Sequence, residues 1–303
     1  MLEIDIEIGT EEQNEQIKAE LSIFSSIYKK SEFIPRINRI IIPADFKTTI
    51  QRLTSDPSFN IQRGSSESSI HVTAKIINVD DEKILVLSPY IYTEGWDMHL
   101  RYLIYLHEQA HLNCDIMKAD YSDMSRSKRD YMDILYELYH EYYCDRFAYE
   151  IINNVFGDLS DLYIQRIEEN FENYNRIFND KSYENIISTQ TKLFNEKQID
   201  RDTFIKEWNV VFGVIPYAIA HYYALVHEYD NLAERAIFNL PPFINSCTMD
   251  LIKYFDDKYN NYDFDLTDGI ERIDFFMRNL GVQYIDDGGE NIFIKFVELY
   301  DYY

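Results

Sequence analysis

The sequence predicts an α+β protein, with strands and helices mixed in the segment up to Gly95 and a mostly helical remainder. Three observations carry this. LEIDIEI at residues 2–8 alternates strictly between apolar and acidic residues, the period of a strand. SIHVTAKIINV and KILVLSPY flank Asp80-Asp81-Glu82 and read as a hairpin. Tyr (26) and Phe (19) are abundant while Gly (9) and Pro (7) are scarce, which favours aromatic-packed helices over tight turns.

The elements follow in order. After the first strand, Thr10 and Gln13 form a capping box that opens an amphipathic helix to about Lys30. NRIIIP is a short strand stopped by Pro43, and ADFKTTIQRLTSD reads as a helix before the hairpin. Beyond Gly95, Asp97 is the expected N-cap of WDMHLRYLIYLHEQAHLNC, which is apolar on nearly all sides and therefore expected to be buried. Ser127 with Asp130 is the expected cap of a long helix ending at about Phe156 and stopped by Gly157. Further helices are expected near 160–178, 182–197, 203–229, 246–258 and 268–280, the last bracketed by Thr267 and Gly281. Residues 1–157 are expected to form a core carrying the chemistry, and residues 158–303 a helical domain that completes its cleft.

A formal net charge of −24 argues against nucleic acid, since phosphate binding needs a basic footprint, and equally against an anionic membrane surface. A basic protein or peptide partner suits that charge. Cys114, Cys144 and Cys247 are too few and too scattered for a disulfide framework. The first residues lack the basic and apolar regions of a signal peptide, and no run approaches 18 apolar residues. The expected compartment is a reducing cytoplasm.

The chemistry lies in HEQAH, residues 107–111. On a helix, positions i and i+4 share a face, so His107 and His111 can offer two imidazoles to one metal ion. Glu108 lies one step round, within reach of a water molecule at that metal. Zinc lowers the pKa of its water toward about 7, and a nearby carboxylate takes the proton. A third ligand is still needed. Downstream, HEYYCDRFAYEI (140–151) places Glu141 and Asp145 on one face among tyrosines, Cys144 and Phe147. Glu141 is the candidate third ligand, and Asp145 the candidate partner of a ligating histidine, whose tautomer it would fix.

This pair of motifs resembles the glutamate-zincins, which follow HExxH with a later E-x-x-x-D/N on the next helix. Within them it is most similar to the ImmA/IrrE-like metallopeptidases, whose second motif ends like Glu141-Tyr142-Tyr143-Cys144-Asp145-Arg146-Phe147-Ala148. The resemblance covers about residues 85–155; Cys144 stands where alanine is usual, and Gln109-Ala110 lacks the glycine often seen before the second histidine. It implies a zincin-like fold, a small twisted sheet over the HExxH helix and a mostly helical second half. It implies one Zn2+ per chain on His107, His111 and Glu141, Glu108 as general base, and a zinc endopeptidase acting on a protein partner. Relatives of this kind also carry a group opposite the zinc that stabilises the oxyanion. YAIAHYYALVHE offers His221, Tyr222, Tyr223 and His227 for that role.

Two rival readings use the same residues. Glu108–His111 and Glu137–His140 are two ExxH pairs, the signature of a di-iron carboxylate bundle. That bundle needs a helical glutamate some thirty residues before Glu108, where residues 68–90 read as a hairpin, and it leaves His107 unused. The second rival is a zincin-fold regulator or interaction module without catalysis, against which the intact Glu108 argues. His99 reads as structural, and Cys114 as a buried, inert thiol.

Overall fold

The structure, a computed structural model, describes residues 2–30, 37–60, 62–63, 70–80, 82–93, 96–117, 119–157, 161, 164–165, 168–169, 189, 191–200, 203, 219–228, 242–279, 282–286 and 292–296. The chain divides into two compact units. One comprises Met1–Arg63, Ser69–Asn113 and Phe147–Arg166, the other Gly64–Ser68, Cys114–Arg146 and Ile167–Tyr303. Among the described residues, no helix is long and apolar enough to cross a membrane.

In the first unit the alternating segments form a four-stranded mixed sheet in the order β1-β2-β6-β5. Strands β1 (Glu3–Ile6), β2 (Arg39–Ile42) and β6 (Glu82–Leu87) are parallel; β5 (Ala74–Val79) is antiparallel to β6, as the hairpin required. Two-residue strands β3 (Gln62–Arg63) and β4 (Ile70–His71) pair separately. Ile40, Ile41 and Ile42 are all buried although successive side chains point to opposite faces, so β2 is covered on both sides. On the Ile41 face, Phe46 and Ile50 of α2 (Phe46–Thr54) pack with Ile77, Ile84 and Val86. Asp45 caps α2, accepting the Thr48 N–H at 2.9 Å.

Helix α1 (Glu11–Lys30) opens with the expected box: Thr10 N–H donates to Gln13 Oε1 at 2.8 Å, and Gln13 N–H to Thr10 Oγ1 at 3.3 Å. It is tied to α3 (Met98–Met117) by a two-point Arg101–Glu20 pair (2.8 and 2.7 Å) and by Phe24 against the rings of Tyr102 and Tyr105. Asp97 caps α3, accepting the Leu100 N–H at 2.9 Å. His99 packs edge-on against Phe156, a structural placement.

Helix α4 (Arg126–Phe156) ends as expected, with Gly157 in the left-handed region and its N–H bonded to the Asn153 carbonyl. Its start corrects the sequence reading. Ser127 does not cap with Asp130; Asp286, from strand β7 (Val282–Asp286), accepts the Ser127 N–H at 2.8 Å and the hydroxyls of Ser125 and Ser127. Asp130 pairs with Arg126 instead. Strand β7 pairs antiparallel with β8 (Ile292–Phe296), a hairpin beyond the last expected helix that the sequence reading did not assign. The strand-forming residues Val282, Tyr284 and Ile285 before Gly288-Gly289, and Ile292, Phe293 and Ile294 after them, were its available signal.

In the second unit, α7 (Pro242–Asn260) packs with α4 through aromatic residues, and α8 (Ile270–Asn279) meets α4 through Asp274. Tyr139, Tyr142 and Tyr143 interlock with Phe255, Tyr259 and Phe264, which explains the tyrosine content: each ring fills core volume while its hydroxyl can satisfy a buried acceptor. Tyr136 donates to the Phe264 carbonyl (2.9 Å), and Tyr131 to Asp274 (2.6 Å). Gly269 is required by close approach, since a Cβ there would lie 2.7 Å from Leu135 Cδ2 and 2.8 Å from the Tyr254 hydroxyl. The expected helices near 160–178, 182–197 and 203–229 fall mostly outside the described residues; within them, Thr191–Asn195 (α5) and 219–228 (α6) are helical.

The Asp286 cap sets a pH dependence. Its hydrogen bonds to Ser127, first the hydroxyl and then the N–H, hold the carboxyl below its usual value of 3.8. A depressed folded-state pKa contributes stability above the unfolded value, and that contribution is lost as the pH falls through the folded one. Melting curves should therefore show wild type losing stability below about pH 4, and Asp286→Ala, already destabilised at neutral pH, losing less over that window. Parallel pH profiles for the two proteins would contradict the cap.

Candidate metal centre

Helices α3 and α4 bring together the three predicted ligands. His107 and His111, one turn apart on α3, direct their Nε2 atoms at each other, 3.0 Å apart, with ring planes at 79°. Ligand atoms of His107, His111 and Glu141 all lie within 4.8 Å of one another, and all three residues are half-buried. Among the described residues this is the one such group of His, Cys, Asp and Glu side chains.

The donor set fits a zinc ion. Two nitrogens about 2.0–2.1 Å from a tetrahedral ion sit about 3.3 Å apart, close to the observed spacing, and a carboxylate oxygen is an ordinary third ligand. Nitrogen donors with only one carboxylate suit Mg2+ or Ca2+ poorly, since those ions prefer a shell of oxygens. A His107-His111-Glu141 group that could bind a metal ion is therefore present.

Glu108 follows His107 on α3 and is half-buried. Gln109, on the other side, is 2% exposed, and its Nε2 has no hydrogen-bond partner among the described residues. This α3 segment is thus embedded in protein with only its ligand-bearing face partly open.

The residues around Glu141 are ordered by pairing. Asp145, one turn along α4 and buried, holds Nδ1 of His221 from α6, and His221 Nε2 then faces the Glu141 carboxylate at 3.9 Å. Of the four residues offered as oxyanion stabilisers, His221 stands beside Glu141. Tyr222 and Tyr223 pack on each other with ring centroids 5.1 Å apart, and burial raises the Tyr223 hydroxyl to about 12. His227 lies 3.4 Å from Asp256.

Glu137, the acid needed by the second ExxH pair, is exposed, and His140 packs edge-on against Tyr136. Neither belongs to the ligand group. Cys114 and Cys144 are fully buried and hydrogen-bonded to each other; burial above all holds the Cys144 thiol well above its ordinary value, so it is inert.

The arrangement predicts an order of losses for metal affinity. Glu141→Ala removes a ligand and should cost most. Asp145→Ala loosens the group beside the ligand, an indirect effect of about 10–100-fold. Glu137→Ala should do least. Zinc titration against a competing chelator reads this order; a dominant loss at Glu137 would shift the third ligand by one turn.

Comparisons with known protein families, with curated proteins and with solved structures give no match for this chain.

Proposed function

We propose that the protein is a zinc-dependent endopeptidase of the glutamate-zincin kind, acting on a protein or peptide substrate. The observation that carries the reading is the convergence of His107, His111 and Glu141 ligand atoms within 4.8 Å, with Glu108 adjacent on the same helix. Three protein ligands that leave a fourth position open are the arrangement of catalytic rather than structural zinc sites. When bound, zinc would polarise a peptide carbonyl and acidify a water molecule.

The chain's own residues supply the rest. Glu108 takes the proton from the attacking water and returns it to the departing amine, the two tasks of one general base–acid. Asp145 accepts from Nδ1 and fixes the His221 ring with Nε2 beside Glu141; protonated, that ring would also donate from Nε2 and oppose the negative charge developing on the carbonyl oxygen. The antiparallel edge strand β5 offers main-chain groups to an extended substrate. The net charge of −24 favours neutral or basic segments.

The exposed Glu137 and the β5–β6 hairpin both weigh against the di-iron reading. The test is a peptide library digested by purified protein. Cleavage should stop with a chelator, return with zinc, and favour neutral or basic segments at low salt. Chelator-resistant cleavage would remove the metal chemistry, and a preference for acidic segments would remove the electrostatic part.

A further inference from the structure

The other edge of the sheet, β1, carries a cavity of its own. It measures about 440 Å³ and is lined by four consecutive residues, Ile4 to Glu7, together with residues of α1, β2 and α2. Consecutive strand residues point to opposite faces, so a cavity touching all four runs along the open edge of β1 rather than over one face.

Among the described residues that edge is unpaired, and in a defined way. The Glu3 N–H donates to the Asn38 carbonyl and the Glu7 N–H to that of Ile42, so the odd-numbered residues turn their main-chain groups toward β2. The N–H and C=O groups of Ile4 and Ile6 therefore point into the cavity, and among the described residues they have no partner.

The charge there runs against the rest of the chain. Lys18, Arg39 and Arg52 line the cavity in a protein of net charge −24. The two acids that also line it are engaged: Asp5 pairs with Arg39, and Glu7 accepts the Ala44 N–H at 3.2 Å. Arg52 is exposed and has no ion-pair partner among the described residues. Lys18 has only a surface pair with Glu15, the kind that contributes little and exchanges readily. Two available cations thus flank an unpaired strand edge.

We propose that the β1 edge is a docking site for an extended, acidic peptide segment, which adds to the sheet as a fifth strand beside β1. Its main chain would pair with Ile4 and Ile6, and its carboxylates would meet Lys18 and Arg52. The site does not depend on the metallopeptidase reading, because it uses the edge opposite β5 and none of the ligand residues.

The probes are two fluorescein-labelled octapeptides with blocked ends, one of alternating Glu and Val and one of alternating Lys and Val. Fluorescence anisotropy with the full chain should show binding of the acidic peptide, weakened by salt, and little binding of the basic one. Lys18→Glu with Arg52→Glu should weaken the acidic peptide by about tenfold or more. Hydrogen exchange should slow at the Ile4 and Ile6 amides when the acidic peptide is bound, which locates the contact whatever the variant does to folding. Unchanged exchange at both amides, equal affinity for the two peptides, or full affinity in the double variant would overturn the proposal. If charged side chains only guard the edge against self-association, neither peptide will slow exchange there.

Discussion

Glu108→Gln should retain zinc and fold while losing about 10²–10⁴-fold in peptide hydrolysis. The two side chains are nearly the same size, and Glu108 is half-buried on α3 beside His107, so the helix and all three ligands remain in place. What disappears is the carboxylate that accepts a proton, because an amide has no basic site in this pH range. The roles of the neighbouring residues make the result diagnostic. A general base can be removed without loss of metal, whereas in a di-iron bundle Glu108 would itself be a ligand and its amide would weaken metal binding. Metal content measured beside single-turnover cleavage separates the two. Zinc retained with undiminished cleavage would end the assignment of Glu108 as base.

The largest stability loss is expected at Arg146, which sequence analysis passed over as part of a motif. Its side chain is 4% exposed; Nε lies 3.2 Å from Glu228, one terminal nitrogen 2.5 Å from Asp256 and 3.0 Å from the Tyr142 hydroxyl, and the guanidinium sits 4.5 Å from the Tyr259 ring centroid. Burying a cation is costly, and here the cost is offset by two carboxylates, a hydroxyl and an aromatic face. Arg146→Met fills much of the volume but takes the buried guanidinium away from Glu228 and Asp256, a loss of about 3–5 kcal/mol in the unfolding free energy measured by urea titration. Arg146→Lys should cost less, since it keeps the charge but cannot reach both acids in the planar geometry of a guanidinium. A methionine variant within about 1 kcal/mol of wild type would show that the cluster contributes no net stability. The same cluster fixes α6. Adjacent residues Asp145 and Arg146 hold His221 and Glu228, seven positions and about two helical turns apart, so the described segment of α6 is held at two points and His221 is kept in place.

Local patterns in the sequence determined a large part of this protein. The Thr10–Gln13 box, the Asp97 cap, the strands 3–6 and 39–42, the hairpin and the HEQAH pair all depend on residues within a few positions of each other. Helical and strand periodicity, together with short side-chain-to-backbone bonds, act at that range, so spacing alone encodes them. Motif spacing also singled out Glu141, because the E-x-x-x-D pattern is itself local. Only the tertiary structure decided which distant groups meet. Asp286 caps α4 from 159 residues away, displacing the local Ser127–Asp130 box, because a carboxylate offered by a neighbouring strand can take one N–H and two hydroxyls at once. His221 rather than Tyr222, Tyr223 or His227 stands beside Glu141 because its face of α6 meets Asp145, 76 residues earlier in the chain. Arg146 finds its two acids on α6 and α7 in the same way. Such pairs are fixed by how the helices pack, and packing depends on the summed shape of many side chains, which no spacing within one segment records.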